Sequence, residues 1–305
     1  MRRKIKWPNG YDFAFTIVDD TDGATVQNVK PVYDYLYERG ILTTKTCWAY
    51  PSKDQVYTGE CLQDDAYREF LIELKNRGFE IGFHNAGSGG FQRNETISAF
   101  EDFKTCFGEY PHLHINHSNN VENIYWGAER FSGPVRKIYS LFRSSIASLG
   151  VKTDSEYFWG DLCKKNVKYI RNRTFNGIDT LREDNRLVYQ ETGKDKYSNY
   201  WFSSSDGMRL KPFLNILTKK NVDKLVRQKG CCILYTHFAY EFVDENGVLS
   251  EDFKAAIDYL SEQNGWFVPT STLLDYVLAD KEYKPSKWYE FKMDIKWFVE
   301  RVIKK

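Results

Sequence analysis

The stretch FTIVDDTDGAT, residues 15–25, decides how the chain is read. An apolar run that reads as a buried strand stops at three acids within four positions, Asp19, Asp20 and Asp22. Side-by-side carboxylates repel in a poorly solvated place, so one takes up a proton or a cation binds there. Neighbours within a strand point to opposite faces. Asp19 and Asp20 therefore reach a common site only if the strand has already turned into its loop, which Gly23 permits.

Outward from this stretch, strand-like and helix-like segments alternate. YDFAFTIV (11–18), TTKTCWAY (43–50), FEIGF (79–83), HLHIN (112–116), CCILYT (231–236) and GWFVP (265–269) read as strands. Helical patterns lie near 25–39, 63–77, 95–106, 219–228, 250–263 and 270–280, and residues 121–149 read as largely helical. Between 155 and 210 the pattern is weaker, with strand candidates in KYIRNRTF and SNYWFS. Repeated β–α alternation favours a parallel sheet with helices outside. Some seven such units over residues 1–280 predict a closed, distorted (β/α) barrel, with an open doubly wound sheet as the alternative. The tail, 281–305, is set apart. Trp288, Phe291, Ile295, Phe298 and Val302 recur at helical spacing with lysines opposite. This predicts an amphipathic basic helix, docked on its own domain or on a second subunit, or adsorbed to an anionic membrane surface.

Composition narrows the function. The chain has 305 residues and a net charge of +1, which argues against nucleic acid as the main partner. Six cysteines, none in a C-x-x-C pair, read as reduced thiols. No secretory signal or transmembrane run is expected, so a cytoplasmic location follows, with membrane association through the tail as an addition.

The protein has five histidines, at 84, 112, 114, 117 and 237. Three follow strands: His84 after FEIGF, His117 after HLHIN and His237 after CCILYT. In a parallel barrel all carboxyl ends of strands open on one rim. Asp19, Asp20, His84, His117 and His237 are therefore expected to converge. Singly, each has a plainer reading, a hydrogen-bonded structural histidine or a turn acid, and Asp22 or Thr25 suits a helix cap. Together they predict a metal or catalytic site. Two imidazoles, His84 and His117, and one of the two neighbouring carboxylates would hold a divalent cation with positions left open, zinc first among first-row ions.

These residues resemble the motifs of the polysaccharide deacetylase family, metal-dependent enzymes that remove acetyl groups from N-acetyl sugars. TIVDD (16–20) is similar to the family's strand followed by T-F-D-D, and ILYTHF is similar to its apolar strand ending in L-x-H. The resemblance covers roughly residues 10–275 and implies Asp19 as general base, Asp20 as metal ligand and His237 as the acid for the leaving amine. Of the family's H-x-x-x-H only His84 is matched; Ser88 stands in the second place, and R-x-P-Y is missing. His117 is the expected substitute ligand, with Ser88 or a water as alternatives. Arg171 or Arg173 is a candidate for the lost arginine that orients the base. In EYFWGDL, Trp159 is a candidate sugar-stacking wall and Asp161 a candidate partner of the base; a core Trp and a capping Asp are the plainer readings. The implied function is deacetylation of an N-acetylated sugar, such as a sugar nucleotide or a lipid-linked precursor. The alternatives are a catalytically impaired sugar-binding or scaffolding relative and, from DTDGAT, a haloacid dehalogenase-like phosphatase.

Overall fold

A computed structural model describes residues 3–131, 133–142, 148–280 and 286–303. Nine strands form one sheet: β1 Phe13–Asp19, β2 Thr44–Cys47, β3 Glu80–Phe83, β4 Leu113–His114, β5 Tyr169–Phe175, β6 Val188–Tyr189, β7 Tyr200–Asp206, β8 Cys231–Thr236 and β9 Gly265–Phe267. Seven of them close a ring in the order β1-β2-β3-β4-β5-β7-β8 and back to β1, every pair parallel. The expected seven-stranded parallel barrel is therefore observed, with helices around it.

Two accessory strands account for its distortion. Along one edge β1 is paired with β8 from Ala14 to Asp19. On the other edge Phe13–Phe15 pair with β9, and only Val18 and Asp19 reach β2. On β7, likewise, β6 is antiparallel beside Trp201 and Phe202, and β8 takes Ser205 and Asp206. Both seams splay the amino-terminal end of the barrel. Helix Thr270–Asp280 enters there, its Thr270 Oγ1 within hydrogen-bond distance of the Thr16 and Thr44 hydroxyls.

Alternation along β1 separates two apolar layers. Phe13, Phe15 and Ile17 share a buried cluster with Val29, Tyr33 and Leu36 of helix Val26–Glu38. Ala14 and Val18 share another with Leu113, Tyr169, Phe202 and Ile233, the barrel interior. Each fully buried Phe is worth about 1.5–3 kcal/mol. A run buried on both faces is continuously apolar, which is why the segment before Asp19 was legible as a central strand.

Residues 121–149 are less helical than expected: a short 3-10 turn, Gly127–Arg130, then helix Gly133–Phe142, with 143–147 outside the described residues. All six cysteines are free.

The tail forms helix Lys287–Phe298, continued by a π-helical turn to Ile303, and residues 281–285 lie outside the described residues. It docks on its own chain by part of the apolar stripe: Phe291, Phe298 and Val302 pack, partly buried, against a cluster that includes Phe131, Phe175 and Trp297, while Trp288 and Ile295 stay exposed. Glu290, Met293, Asp294 and Trp297 face inward, whereas Trp288 is 73% exposed. Specific polar partners explain the rotation: Asp294 is bound by Arg173, and Glu290 accepts from the Thr192 N–H and hydroxyl. No helix among the described residues is long and apolar enough to cross a membrane.

Candidate active site

Strand parity governs which acid reaches the barrel mouth. Asp19 is the last residue of β1 and belongs to the outward set with Ile17. It is fully buried, and its cross-strand partner is Lys45. The Lys45 ammonium lies 3.0 Å from Asp19 Oδ2, Tyr33 donates to the same oxygen (2.9 Å), and the Phe238 N–H donates to Oδ1 (2.8 Å). Burial pushes the Asp19 pKa up, against the pull of Lys45. These contacts lie on the helix side of the sheet, where Asp19 ties β1 to β2 and to helix Val26–Glu38.

Asp20 turns inward. Arg171 Nη1 and Nη2 donate to its two oxygens at 2.8 and 2.5 Å, and the guanidinium stacks 4.0 Å from the Tyr235 ring centre. Arg171, one of the two arginines weighed as an orienting charge, thus grips the neighbour of the acid expected to be the base. Arg173 does not serve this role, because a register shift between Arg171 and Thr174 carries it away to Glu191 and Asp294.

Asp22 is the acid that meets the histidines. His117 Nε2 lies 3.2 Å and His84 Nε2 3.4 Å from Asp22 Oδ1, and His237 Nε2 lies 3.0 Å from Asp22 Oδ2. Asp20 is farther, its Oδ2 4.0 Å from His84 Nε2. Among the described residues, Asp22, His84 and His117 form the group whose ligand atoms lie close enough to hold one metal ion. In this group Asp22 occupies the place that the sequence reading gave to Asp20. Thr25, not Asp22, caps the following helix, with Asn28 completing a capping box. Gly23 has φ +75°, and a Cβ there would meet the Tyr240 ring at 2.8 Å. Without that glycine the chain could not turn so tightly after Asp22.

The donor chemistry fits a cation. His84 Nδ1 donates to Ile115 O (2.9 Å) and His117 Nδ1 to Asn120 Oδ1 (2.9 Å), which leaves each Nε2 as a lone-pair ligand. Asp22 Oδ1, His84 Nε2 and His117 Nε2 are all buried without a hydrogen-bond partner. Donors held about 2.0–2.2 Å from a tetrahedral ion stand roughly 3.3–3.5 Å apart, close to the separations of Asp22 Oδ1 from both imidazoles. Burial alone would raise the Asp22 pKa, but the facing His117, His237 and His84 imidazoles hold it well below the ordinary carboxylate range.

His237 is doubly engaged, with Nδ1 donating to Met208 O (3.0 Å) and Nε2 facing Asp22. Both nitrogens face acceptors, an arrangement that the imidazolium satisfies. Its pKa is raised, burial being outweighed by Asp22 and Asp20.

A polar frame fixes the two ligand loops. Asn85, in the left-handed region at φ 58°, accepts from the His117 N–H (2.9 Å) and donates to Glu122 Oε1 (3.0 Å). Asn120 Nδ2 donates to the same Glu122 oxygen (2.5 Å). Burial pushes the Glu122 carboxyl up to about 7 despite these amides. Ser88 is held by Asp54 at 2.9 Å and takes no part in the metal group. His114 is a structural histidine, its pKa brought down to about 3 by burial, and His112 lies on the surface near Glu109.

The cavity over this centre has a volume of about 140 Å³ and is lined by Asp20, Asp22 and His84 together with Trp126, Arg130 and Tyr235. Trp159 and Asp161 are not part of it. Trp159 is fully buried, packs against His114 and Phe100, and donates to Glu122 O (2.6 Å). Asp161 is bound on the surface by both terminal nitrogens of Arg93 at 2.7 Å. Trp159 thus sits as a core residue, whereas Asp161 lies within the first turn of helix Gly160–Asn166 and does not cap it.

No family model matches the sequence, and no curated protein does. The solved structures that the fold resembles are polysaccharide deacetylases and their relatives, at low identity. Peptidoglycan deacetylase PdaC from Bacillus subtilis is 13% identical, with 88% of this chain and 93% of that chain covered and a TM-score of 0.41. A family 4 acetyl xylan esterase from Clostridium thermocellum, solved with a cobalt ion, is 12% identical over 88% and 97% of the two chains (TM-score 0.38). A Bordetella bronchiseptica protein described as a candidate polysaccharide deacetylase involved in O-antigen biosynthesis is 11% identical over 97% and 96% (TM-score 0.38). Likeness at this level carries neither chemistry nor substrate, which rest on the side chains.

Proposed function

We propose that the protein is a metal-dependent hydrolase that removes the acetyl group from an N-acetylated sugar. One observation carries this reading. Three buried, partnerless ligand atoms, Asp22 Oδ1, His84 Nε2 and His117 Nε2, face one another beside a carboxylate, Asp20, that an arginine holds in a fixed orientation.

Asp22, His84 and His117 would hold the cation, zinc by preference for a set of two imidazoles and a carboxylate. Bound there, a divalent cation would supply Lewis acidity to the acyl carbonyl and acidify a water. Asp20 is assigned as the general base: it lines the cavity, and Arg171 holds it aimed. His237, beside Asp22, is assigned as the group that protonates the departing amine. The Trp126 ring offers an apolar face to a sugar.

The test is acetate release from N-acetylglucosamine oligomers and N-acetylated sugar nucleotides, before and after chelation, with metal analysis of protein purified without chelators. Chelator-sensitive acetate release, lost in Asp20→Asn, supports the assignment. Protein that carries no stoichiometric metal and releases no acetate leaves the sugar-binding relative as the better reading. The phosphatase reading is not favoured, because its nucleophile and acid would be Asp20 and Asp22, and here Asp22 is enclosed by three imidazoles.

A further inference from the structure

Of the charged groups lining the cavity, Arg130 is the one left without a countercharge. It ends the turn Gly127–Arg130 and is only 7% exposed. Its Nη2 donates to Asn172 O (2.7 Å), and its Nε is buried with no partner. Among the described residues no carboxylate lies within salt-bridge distance of it, whereas Arg171 has Asp20 and Arg173 has Glu191 and Asp294. The nearest other cation, Lys194, donates to Arg130 O and is itself paired with Glu191. The guanidinium sits 3.9 Å from the Trp126 ring centre and 5.0 Å from that of Trp297. Burial lowers its pKa to about 10, which leaves it charged at neutral pH.

Retaining a buried cation with an unfilled donor is unfavourable for folding alone. Such a cost is expected where a ligand completes the pairing. The segment that presents it is also strained, for Tyr125, just before Trp126, has φ 46°. A planar guanidinium is suited to carboxylate and phosphoryl oxygens.

We propose that Arg130 is an anion subsite of this cavity, and that the acetylated sugar carries an oxyanion substituent, a carboxylate or a phosphoryl group, which Arg130 receives while Trp126 packs beside the sugar. This rests on the deacetylase reading for the identity of the reacting group, but the subsite stands on its own geometry.

The experiment compares three probes with the metal-loaded protein: N-acetylglucosamine oligomers, an N-acetylated aminouronic acid and N-acetylglucosamine 1-phosphate. Binding is measured by calorimetry and turnover by acetate release, in wild type, Arg130→Gln and Arg130→Lys. Wild type is expected to prefer one anionic probe over the neutral one by about 10- to 100-fold, the range of a charge-assisted pair. Arg130→Gln should abolish that ratio, and Arg130→Lys should recover part of it. Preference for the uronic acid identifies a carboxylate, and preference for the phosphate a phosphoryl group. Equal binding of all three probes by wild type, or a preference that survives in Arg130→Gln, overturns the subsite. Anion preference in binding with no acetate released sinks the deacetylase reading and keeps the subsite; acetate release without anion preference does the reverse.

Discussion

Arg171 and Arg173 stand two residues apart on β5, and each enters a buried ionic cluster of a different kind. Around Arg173 the charges close on themselves. Glu191, Tyr189 and Asp294 bind its guanidinium, Lys194 supports Glu191, and the Glu191 pKa falls to about 2, burial being outweighed by Arg173 and Lys194. None of the Arg173, Glu191 or Asp294 side-chain atoms is left buried without a partner. Around Arg171 only the pair with Asp20 is closed, and the neighbouring Asp22, His84, His117 and Arg130 each keep an orphaned atom. The first cluster clamps the C-terminal helix to the barrel; the second has the valences of a site awaiting ligands. Burial and charge are alike in both, so saturation is what separates structure from function here.

The contrast can be broken by substitution. The largest effects belong to the open cluster. Asp20→Asn should lower acetate release roughly 10²–10⁴-fold with metal content retained, and Asp22→Ala should lose metal and activity together. Metal analysis beside the rate separates the two; metal retained by Asp22→Ala would remove it from the ligand set. In the closed cluster, Arg173→Met strands two carboxylates and should cost about 3–5 kcal/mol in urea unfolding while metal content stays the same. Asp19→Asn belongs with it, because it leaves Lys45 buried and unpaired; metal loss from a folded Asp19→Asn protein would contradict its structural role.

Glu122 gives a smaller effect that depends on pH. Its folded pKa, about 7, lies above the ordinary 4.5. The folded state therefore binds its proton more tightly, and the stabilisation is full below pH 4.5 and is lost as pH rises through 7. The span is on the order of 3 kcal/mol. Unfolding free energies measured from pH 4.5 to 8 should lose this slope in Glu122→Gln; an unchanged slope assigns it elsewhere. Smallest of all, Trp288→Ala, on the exposed face of the tail helix, should change stability by no more than about 0.5 kcal/mol.

Much of this was legible in the sequence, and the failures share a cause. FTIVDD was readable because a strand buried on both faces has to be apolar, and the strand ends carrying His84, His117 and His237 follow from parallel direction alone. What failed was parity within one strand end. Asp19 and Asp20 share a site only if the chain turns before Asp19, but Asp19 is still in β1 and alternation sends the two to opposite faces, whereas Asp20 and Asp22 reach the same rim and Gly23 supplies the turn. That signal was present in the spacing. Arg130 left no such signal, because a single arginine in a turn is indistinguishable from a surface residue until its neighbours are known. The same holds for Trp159: an aromatic beside an acid suits a sugar wall or a core, and only tertiary contacts decide. In the tail, the apolar stripe named the helix and part of its docked face, Phe291, Phe298 and Val302, but not the two buried acids, Glu290 and Asp294, whose specific partners turn Trp288 outward.

The central claim is that one cation is gripped by Asp22, His84 and His117, with Asp20 held apart by Arg171. Anomalous scattering from crystals grown with zinc tests it most directly. The account predicts one strong peak about 2.0–2.2 Å from Asp22 Oδ1 and from the Nε2 atoms of His84 and His117, with Asp20 still on the guanidinium. A peak bound by Asp19 or Asp20 in place of Asp22, or no peak at this rim, would contradict it.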